Sequence, residues 1–200
     1  SPMLLTVYSG LPIHTVQEFV QAAKAKPGEF NFATASVGGV THLSGELLNI
    51  VAGIQTRYVA YKGNAPALTD VAGGRVQFLF NGPVSMLPLI KSGNLRPIAA
   101  SSKQRVRSFP DVPTMEEAGY KGFEAFGWLG LLSPAKTPPA VITRINASTN
   151  RALRHPDVTR RIESDGSFVA QTTPEEFAKF IDDETAKWSK VIKAANVKPE

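Results

Sequence analysis

The residue types that could carry enzyme chemistry form none of the common catalytic signatures in this sequence. The chain has no cysteine, which excludes a disulfide, a thiolate nucleophile and a cysteine-ligated zinc ion. None of the motifs G-x-S-x-G, G-x-x-x-x-G-K-[ST], G-x-G-x-x-G and H-E-x-x-H occurs. The three histidines, His14, His42 and His155, lie in different predicted elements and lack the spacing of metal ligands. We therefore expect no enzyme activity, metal or cofactor, although a Ser-His-Asp triad, whose members need not be adjacent, stays open.

The segment 31–43, NFATASVGGVTHL, has the composition of an anion-binding loop. It predicts a strand that runs through small residues into a helix, whose first N–H groups lack internal acceptors at the positive end of the helix dipole. The pair Gly38-Gly39 lets the backbone approach a ligand closely. Hydroxyl groups add three further candidate donors, on Thr34, Ser36 and Thr41. Two alternatives stay open: the glycines only make the turn while Thr41 caps the helix, and His42 is a core or hinge residue.

Two further predicted strands end in polar residues. Tyr61 and Lys62 follow one of them, and Asn81 follows the other. Because the carboxyl ends of parallel strands meet at one edge of a sheet, a pocket rim there could contain a phenol, an ammonium and an amide. The simpler alternative is that Lys62 is a solvated charge and Asn81 a turn residue. Similarly, Phe126 and Trp128 either line a cleft or belong to the core.

The elements that must position this loop alternate between helix and strand. After a short apolar run at residues 3–8, four helix-strand repeats follow, with strands predicted at 30–34, 56–61, 76–80 and 95–100. Thr15 and Glu18 form a capping box, Asn64 is a predicted cap, and Gly53 ends the second helix. This alternation predicts an α/β fold with an open, mostly parallel sheet flanked by helices.

The second half of the chain does not continue the helix-strand alternation. Thr114 with Glu117 predicts a second capping box and one short helix, and the aromatic run 123–132 predicts an extended connection. Beyond it we expect a helix capped by Thr137, a second helix, a short strand at 168–170 and a long final helix. A third capping box, Thr173 with Glu176, begins that final helix. We predict an α/β lobe over residues 1–127 and an incomplete helical remainder over residues 128–200.

Charge and hydropathy exclude several classes of protein. There are 22 Lys and Arg against 17 Asp and Glu, giving +5, but the basic residues do not cluster with aromatic ones, so we expect no nucleic-acid partner. The sequence has no stretch of about 18 uncharged apolar residues, which is what a bilayer span requires. Since residues 1–5 lack a basic n-region, we expect any export signal to have been removed.

With these features the chain resembles the substrate-binding proteins of tripartite tricarboxylate transporters, the Bordetella uptake gene family. The similarity extends over essentially all 200 residues. The loop is followed by the family's H-L-x-x-E pattern at His42, Leu43 and Glu46. Further matching segments occur in the family's order: 59–63 (VAYKG), 65–70 (APALTD), Gly74 with Val76, Phe80 before 88–93, 95–99 (LRPIA), 109–114 (FPDVPT), 117–119 (EAG), 128–131 (WLGL) with Ser133-Pro134, and 173–177 (TPEEF).

The resemblance implies a two-lobed periplasmic binding protein of type II that closes on a small carboxylate and delivers it to a membrane permease. It implies no catalysis, and it places the loop 34–42 of the second lobe against the carboxylate. The family's first-lobe loop is missing here, so we expect a complete second lobe and a partial first lobe. A homodimer through exposed first-lobe helices stays open. The ligand-binding residues that we expect are Thr34, Ala35, Ser36, Gly38, Gly39, Thr41, His42, Tyr61 and Asn81.

Two departures from the family pattern bear on the cargo. Gly39 stands where relatives often have a hydroxyl residue, and Asn81 stands where many have an acidic one. A carboxylate at position 81 would pair with a ligand ammonium, whereas an amide gains much less from that charge. We therefore expect an organic acid without an amino group, such as a di- or tricarboxylate or an aromatic acid. The alternative function is a module of the same fold that reports carboxylate to a sensor kinase or regulator.

Overall fold

The computed structural model describes residues 1–164 and 166–198. These residues contain five strands: β1 (Leu4–Tyr8), β2 (Asn31–Thr34), β3 (Arg57–Ala60), β4 (Phe78–Asn81) and β5 (Leu95–Ala100). Seven helices are present in the described residues: α1 (Val16–Ala25), α2 (Val40–Ala52), α3 (Asn64–Ala72), α4 (Pro83–Lys91), α5 (Pro139–Leu153), α6 (Pro156–Ser164) and α7 (Pro174–Ala194).

All five strands form one sheet, in the order β3-β2-β4-β1-β5. Strand β2 pairs in parallel with both β3 and β4. Strand β1 lies between β4 and β5 and is antiparallel to both. Four strands therefore point the same way, which confirms the mostly parallel sheet, and their carboxyl ends share one edge with the start of β1.

Helices cover both faces of the sheet. Because side chains alternate along a strand, Phe78 and Phe80 of β4 join one buried cluster and Leu79 joins the other. Helix α2 lies close to the sheet because Gly45, in its middle, faces the Phe32 ring, and a Cβ at that position would overlap the ring. This close approach fixes where α2 begins relative to the end of β2.

Several predicted element ends are confirmed. Thr15 and Glu18 form both hydrogen bonds of a capping box at the start of α1. The same arrangement, from Thr173 and Glu176, begins α7. Gly53 ends α2 in the left-handed conformation, with φ of 61°.

Other predictions about the elements are wrong. Thr114 and Glu117 exchange the two capping-box hydrogen bonds, yet only turns follow, without the predicted short helix. Residues 168–170 form no strand. The N-cap of α3 is Gly63, with φ of 104°, so that Asn64 is the first helical residue. The N-cap of α5 is Pro138, and the cap predicted at Thr137 is displaced by one residue.

The segment after residue 124 connects the sheet to the C-terminal helices. Phe126 forms an isolated bridge with Pro2, and the N-terminal amine donates to the Gly127 carbonyl at 2.7 Å. The Trp128 ring lies edge-on to Phe177 and Phe180 of α7, with ring centroids 5.7 and 5.4 Å away. Helix α7 in turn packs on α2. No helix within the described residues combines the length and apolarity that a membrane crossing needs.

Candidate functional site

The candidate loop connects β2 to α2 at the shared edge of the sheet. Thr34 is the last residue of β2, and its carbonyl accepts from the Tyr61 N–H at 2.9 Å, which brings the end of β3 beside it. On the other side, β2 pairs with β4 at Ala33 and Leu79. Two residues further along each strand, this register places Ala35 level with Asn81. The structure therefore brings together the ends of β2, β3 and β4, as the sequence predicts.

Two of the predicted hydroxyl donors hold the loop together. Thr34 is 1% exposed, and its hydroxyl donates to the Ser36 carbonyl at 3.0 Å. Its oxygen lies 2.9 Å from the Thr41 hydroxyl. Since the single Thr34 proton is used on Ser36, the proton between the two threonines comes from Thr41. Neither threonine therefore has a hydroxyl proton left for an anion, while the exposed Ser36 side chain does.

The turn into α2 depends on the two glycines. Gly38 has φ of 74°, and its N–H donates to Nδ1 of the buried His42 at 3.0 Å. Gly39 is the N-cap of α2, and no side chain caps the helix. A Cβ on Gly39 would lie 2.6 Å from the Ser36 Oγ, so glycine leaves room for that hydroxyl. Thr41 lies at the second helical position, and the alternative in which it caps the helix is wrong.

Backbone N–H groups are the donors that this arrangement leaves free. The N–H groups of Val40, Thr41 and His42 have no backbone or side-chain acceptor within the described residues. They lie in the first turn of a 13-residue helix, where the macrodipole is positive. Three adjacent donors of this kind are suited to a carboxylate or another small anion.

Asn81 adds a side-chain donor at the end of β4. It is 6% exposed, and its Oδ1 accepts from the Gly82 N–H at 2.8 Å. This bond fixes the side-chain orientation. Its Nδ2 donates to no group in the described part of the chain and is not shielded from solvent. A ligand at this edge therefore meets the N–H pair of the amide and not its oxygen.

Tyr61 is placed at the edge, but its hydroxyl is used elsewhere. It donates to Oδ2 of Asp70 at 2.8 Å, and Asp70 also pairs with Arg75 at 2.6 Å. Burial, followed by the bond to Asp70, raises the pKa of Tyr61 to about 12. The phenol therefore stays protonated and bound to α3, and Tyr61 contributes to the site through its backbone. Lys62, beside it, is exposed.

An apolar groove lies beside the first turn of α2. It has a volume of about 300 Å³ and is lined by Val40, Leu43, Phe126, Gly127, Trp128 and Trp188. Trp128 is 39% exposed, so it borders this groove and also packs on α7. No group of three or more potential metal-ligating side chains occurs in residues 1–164 and 166–198.

The prediction from sequence missed Val37 and Val40 as contributors. Their side chains are apolar, but neither N–H has an acceptor in the part of the chain that the structure describes. A signal for Val40 was present, because a glycine N-cap at position 39 makes residue 40 the first of the unsatisfied donors. The position of that N-cap, however, depends on the path of the loop.

Comparison with known proteins identifies the family of this chain. A family model described as the tripartite tricarboxylate transporter family receptor matches residues 1–197. The chain therefore belongs to this family, which confirms the resemblance noted from its motifs. Protein BugT of Bordetella pertussis is 34% identical over 197 residues, which are 98% of this chain and 60% of BugT.

A second curated relative comes from Pseudomonas sp. (strain P51). It is the UPF0065 protein in the tcbD-tcbE intergenic region, 33% identical over 192 residues that make up 96% of this chain and 57% of that protein. The chain thus spans 57% and 60% of the length of these two relatives.

Solved structures share the fold. Rpa4515 of Rhodopseudomonas palustris with adipate superposes with a TM-score of 0.85 at 31% identity, over all of this chain and 67% of that chain. MatC from the same organism with bound malate gives a TM-score of 0.77 at 29% identity, over 96% of this chain and 66% of that chain. The periplasmic binding protein BugD gives a TM-score of 0.80 at 29% identity, over 100% of this chain and 67% of that chain. These likenesses confirm the predicted periplasmic-binding-protein fold.

Proposed function

We propose that this chain is the carboxylate-binding part of an extracytoplasmic receptor that captures a small organic acid and delivers it to a tripartite permease. The observation that carries the proposal is the set of three free N–H groups at the start of α2, together with the unpaired N–H pair of Asn81 at the end of β4. Family membership and two relatives solved with adipate and malate support a carboxylate as the anion. The receptor acts in the periplasm and catalyses no reaction.

The donor set favours a carboxylate for physical reasons. Hydrogen bonds from N–H groups to an ionised oxygen are stronger than those to a neutral one, and the helix dipole adds to the attraction. The donors are held in place before the ligand arrives, because Thr34, Thr41 and His42 fix the loop from below. This preorganisation lowers the entropy that binding must overcome.

The same donors favour an acid without an amino group. No carboxylate faces the N–H groups of α2 from the end of β4, where Asn81 stands. A ligand ammonium would meet these N–H donors there with no carboxylate at position 81 to pair with. Adipate and malate, the acids in the two relatives, also lack an amino group.

The direct test removes one donor. Proline at position 40 lacks the N–H but suits the first position of a helix, and Gly39, with φ of −74° and ψ of 168°, has the conformation that precedes proline. In the full encoded protein we expect Val40→Pro to weaken adipate or malate binding by about tenfold or more in calorimetry. The matched control is Val40→Ala, which loses the side chain but keeps the N–H and should bind more tightly than Val40→Pro. Equal affinity of the two variants would contradict the proposal, as would a wild type that binds neither acid.

Delivery to the permease has its own test. Cells that carry the encoded protein should take up radiolabelled acid faster than cells that lack it. Binding in vitro with unchanged uptake would instead favour the sensing module.

The proposal includes the division into lobes. Residues 1–127, with the sheet, make up the second lobe, and residues 128–200 make up a crossover and the helical part of the first lobe. Support comes from α5, in which no described residue is buried, and from the exposed Val141 and Ile145 on its surface. A homodimer through these helices is part of the same proposal.

A further inference from the structure

His42 lies under the candidate loop and is shielded from solvent, with 1% of its surface exposed. Two aromatic rings border it: Phe32 of β2, at 6.0 Å between ring centroids, and Tyr58 of β3, at 4.4 Å. Glu46, one turn further along α2, has its Oε1 3.6 Å from the His42 Nε2. The imidazole is therefore bordered by one carboxylate, one phenol and one apolar ring.

The hydrogen bond from Gly38 determines where the imidazole proton lies. Nδ1 accepts from the Gly38 N–H at 3.0 Å, so Nδ1 carries a lone pair and the ring is neutral with its proton on Nε2. Nε2 is fully buried and has no hydrogen-bond partner, although the Glu46 carboxylate is only slightly beyond hydrogen-bond distance. The negative charge of Glu46 favours the tautomer that has its proton on Nε2.

This bond connects a buried ring to the most unusual backbone position of the loop. Gly38 has φ of 74° and is exposed, with nothing within 4 Å of where a Cβ would lie. The space beside its Cα is therefore open, and the bond to Nδ1 is the hydrogen bond that its N–H makes. Gly38 immediately precedes the N-cap Gly39, so its conformation sets the direction from which the chain enters α2.

We propose that the His42 side chain positions the anion-binding loop through Nδ1 and does not itself touch the ligand, which meets only the backbone N–H of this residue. The charge of Glu46 supports the tautomer that the Gly38 bond selects, and the spacing of four residues places Glu46 and His42 on one face of α2. The inference rests on the proposed function for its effect on affinity. The positioning itself is a property of the ligand-free protein.

The first experiment measures the tautomer in the full encoded protein without ligand. Nitrogen-15 NMR of the imidazole should show an unprotonated Nδ1 and a protonated Nε2 for His42, with a coupling across the hydrogen bond from the Gly38 amide. In Glu46→Leu the Gly38 donor remains, so we expect Nδ1 to stay unprotonated in most molecules, with a larger share of the other tautomer than in the wild type. A protonated Nδ1 in the wild type would overturn the inference.

The second experiment measures adipate and malate binding to His42→Asn and His42→Leu. Asparagine can place its side-chain oxygen near the position of Nδ1 and still accept from Gly38, whereas leucine fills the space without an acceptor. We expect His42→Leu to bind about tenfold more weakly than the wild type and His42→Asn to remain within about threefold of it. Thermal denaturation of both variants separates loss of binding from loss of fold.

Rescue by asparagine distinguishes positioning from simple packing. Equal losses in the two variants, or no loss in His42→Leu, would overturn the inference. If the wild type bound neither acid, the proposed function would fail, whereas the tautomer measurement would still decide whether His42 holds the loop.

Discussion

We expect Asn81 to influence which acids bind at the candidate site, because only one end of its amide is available. The Gly82 N–H occupies Oδ1, and the N–H pair remains for a ligand. Replacing this amide by a carboxylate puts a negatively charged acceptor where the ligand would meet an N–H donor, and the shape of the side chain hardly changes. The residue is therefore a direct test of charge at the edge of the sheet.

We expect Asn81→Asp to weaken adipate and malate binding by at least about tenfold, because two negative charges a few ångströms apart repel each other even near a protein surface. The same variant should bind glutamate more tightly than the wild type does, since its carboxylate can pair with the ligand ammonium. Isothermal titration calorimetry of the full encoded protein measures both changes.

The fold of Asn81→Asp serves as the control. A carboxylate oxygen still accepts from the Gly82 N–H, so the turn into α4 should survive and the melting temperature should change little. Unchanged affinity for all three acids would place the ligand away from β4 and contradict the site.

Single residues of the loop also show what the sequence could and could not predict. Small and hydroxyl residues between a strand and a helix predict an anion site here, and the structure places N–H groups without acceptors at that turn. The roles of Thr34 and Thr41 were not predictable, because a hydroxyl donates to whichever acceptor lies nearest, and here that acceptor is created by the path of the loop itself. Likewise, the Tyr61 hydroxyl is not available to a ligand, because it donates to Asp70, which lies nine residues later on α3.

At the scale of the element, α2 is bordered by two left-handed glycines with different roles. Gly38 precedes the helix with φ of 74°, and Gly53 ends it with φ of 61°. Neither has an atom within 4 Å of where a Cβ would lie. Alanine at either position therefore costs only backbone strain, about 1 kcal/mol.

This pair offers a matched comparison. We expect Gly38→Ala and Gly53→Ala to lower the free energy of unfolding by similar amounts, about 1 kcal/mol each, in urea denaturation. Only Gly38→Ala should also weaken adipate or malate binding, by about threefold or more, since it lies beside the free N–H groups. If the two variants bound equally well, the geometry of the loop would not matter for the ligand.

Short sequence motifs predicted most element ends. They failed where the element also needed a following helical segment or a partner strand. The capping boxes at Thr15 and Thr173 each begin a helix because an amphipathic helix follows. The box at Thr114 forms its hydrogen bonds too, but Gly119, with φ of 97°, interrupts the chain before a helix can extend. Residues 168–170 have strand composition, yet a strand needs a partner to pair with, and no strand of the described structure pairs with them.

At the scale of the whole molecule, the direction of β1 decides where the N-terminus lies relative to the candidate site. It is inserted antiparallel between β4 and β5. No local pattern predicts this, because the paired residues are 71 to 77 positions apart for β4 and 87 to 96 apart for β5. The insertion brings the N-terminus to the edge where the other strands end. There Ser1 contacts Gly127 and Ser167, so the candidate site and the connection to the C-terminal helices share one edge.

Apolar surface is concentrated beyond that connection. Leu129 is fully exposed, Leu131 and Leu132 are mostly exposed, and Val141 and Ile145 of α5 are each 44% exposed. A groove of about 540 Å³ follows α5 and includes the last two of these side chains. Exposed apolar patches of this kind mark surfaces that associate.

We therefore expect the chain of residues 1–200 to self-associate in a concentration-dependent way, because burying this surface removes apolar area from water. Light scattering coupled to size-exclusion chromatography measures the mass. The double variant Val141→Lys/Ile145→Lys should shift the chain to monomer, since two ammonium groups would have to be buried. The control Ala147→Lys adds a charge at an exposed position outside the groove and should leave association unchanged. A wild type that stays monomeric at every concentration, or a control variant that dissociates as fully as the double variant, would show that this surface does not drive association.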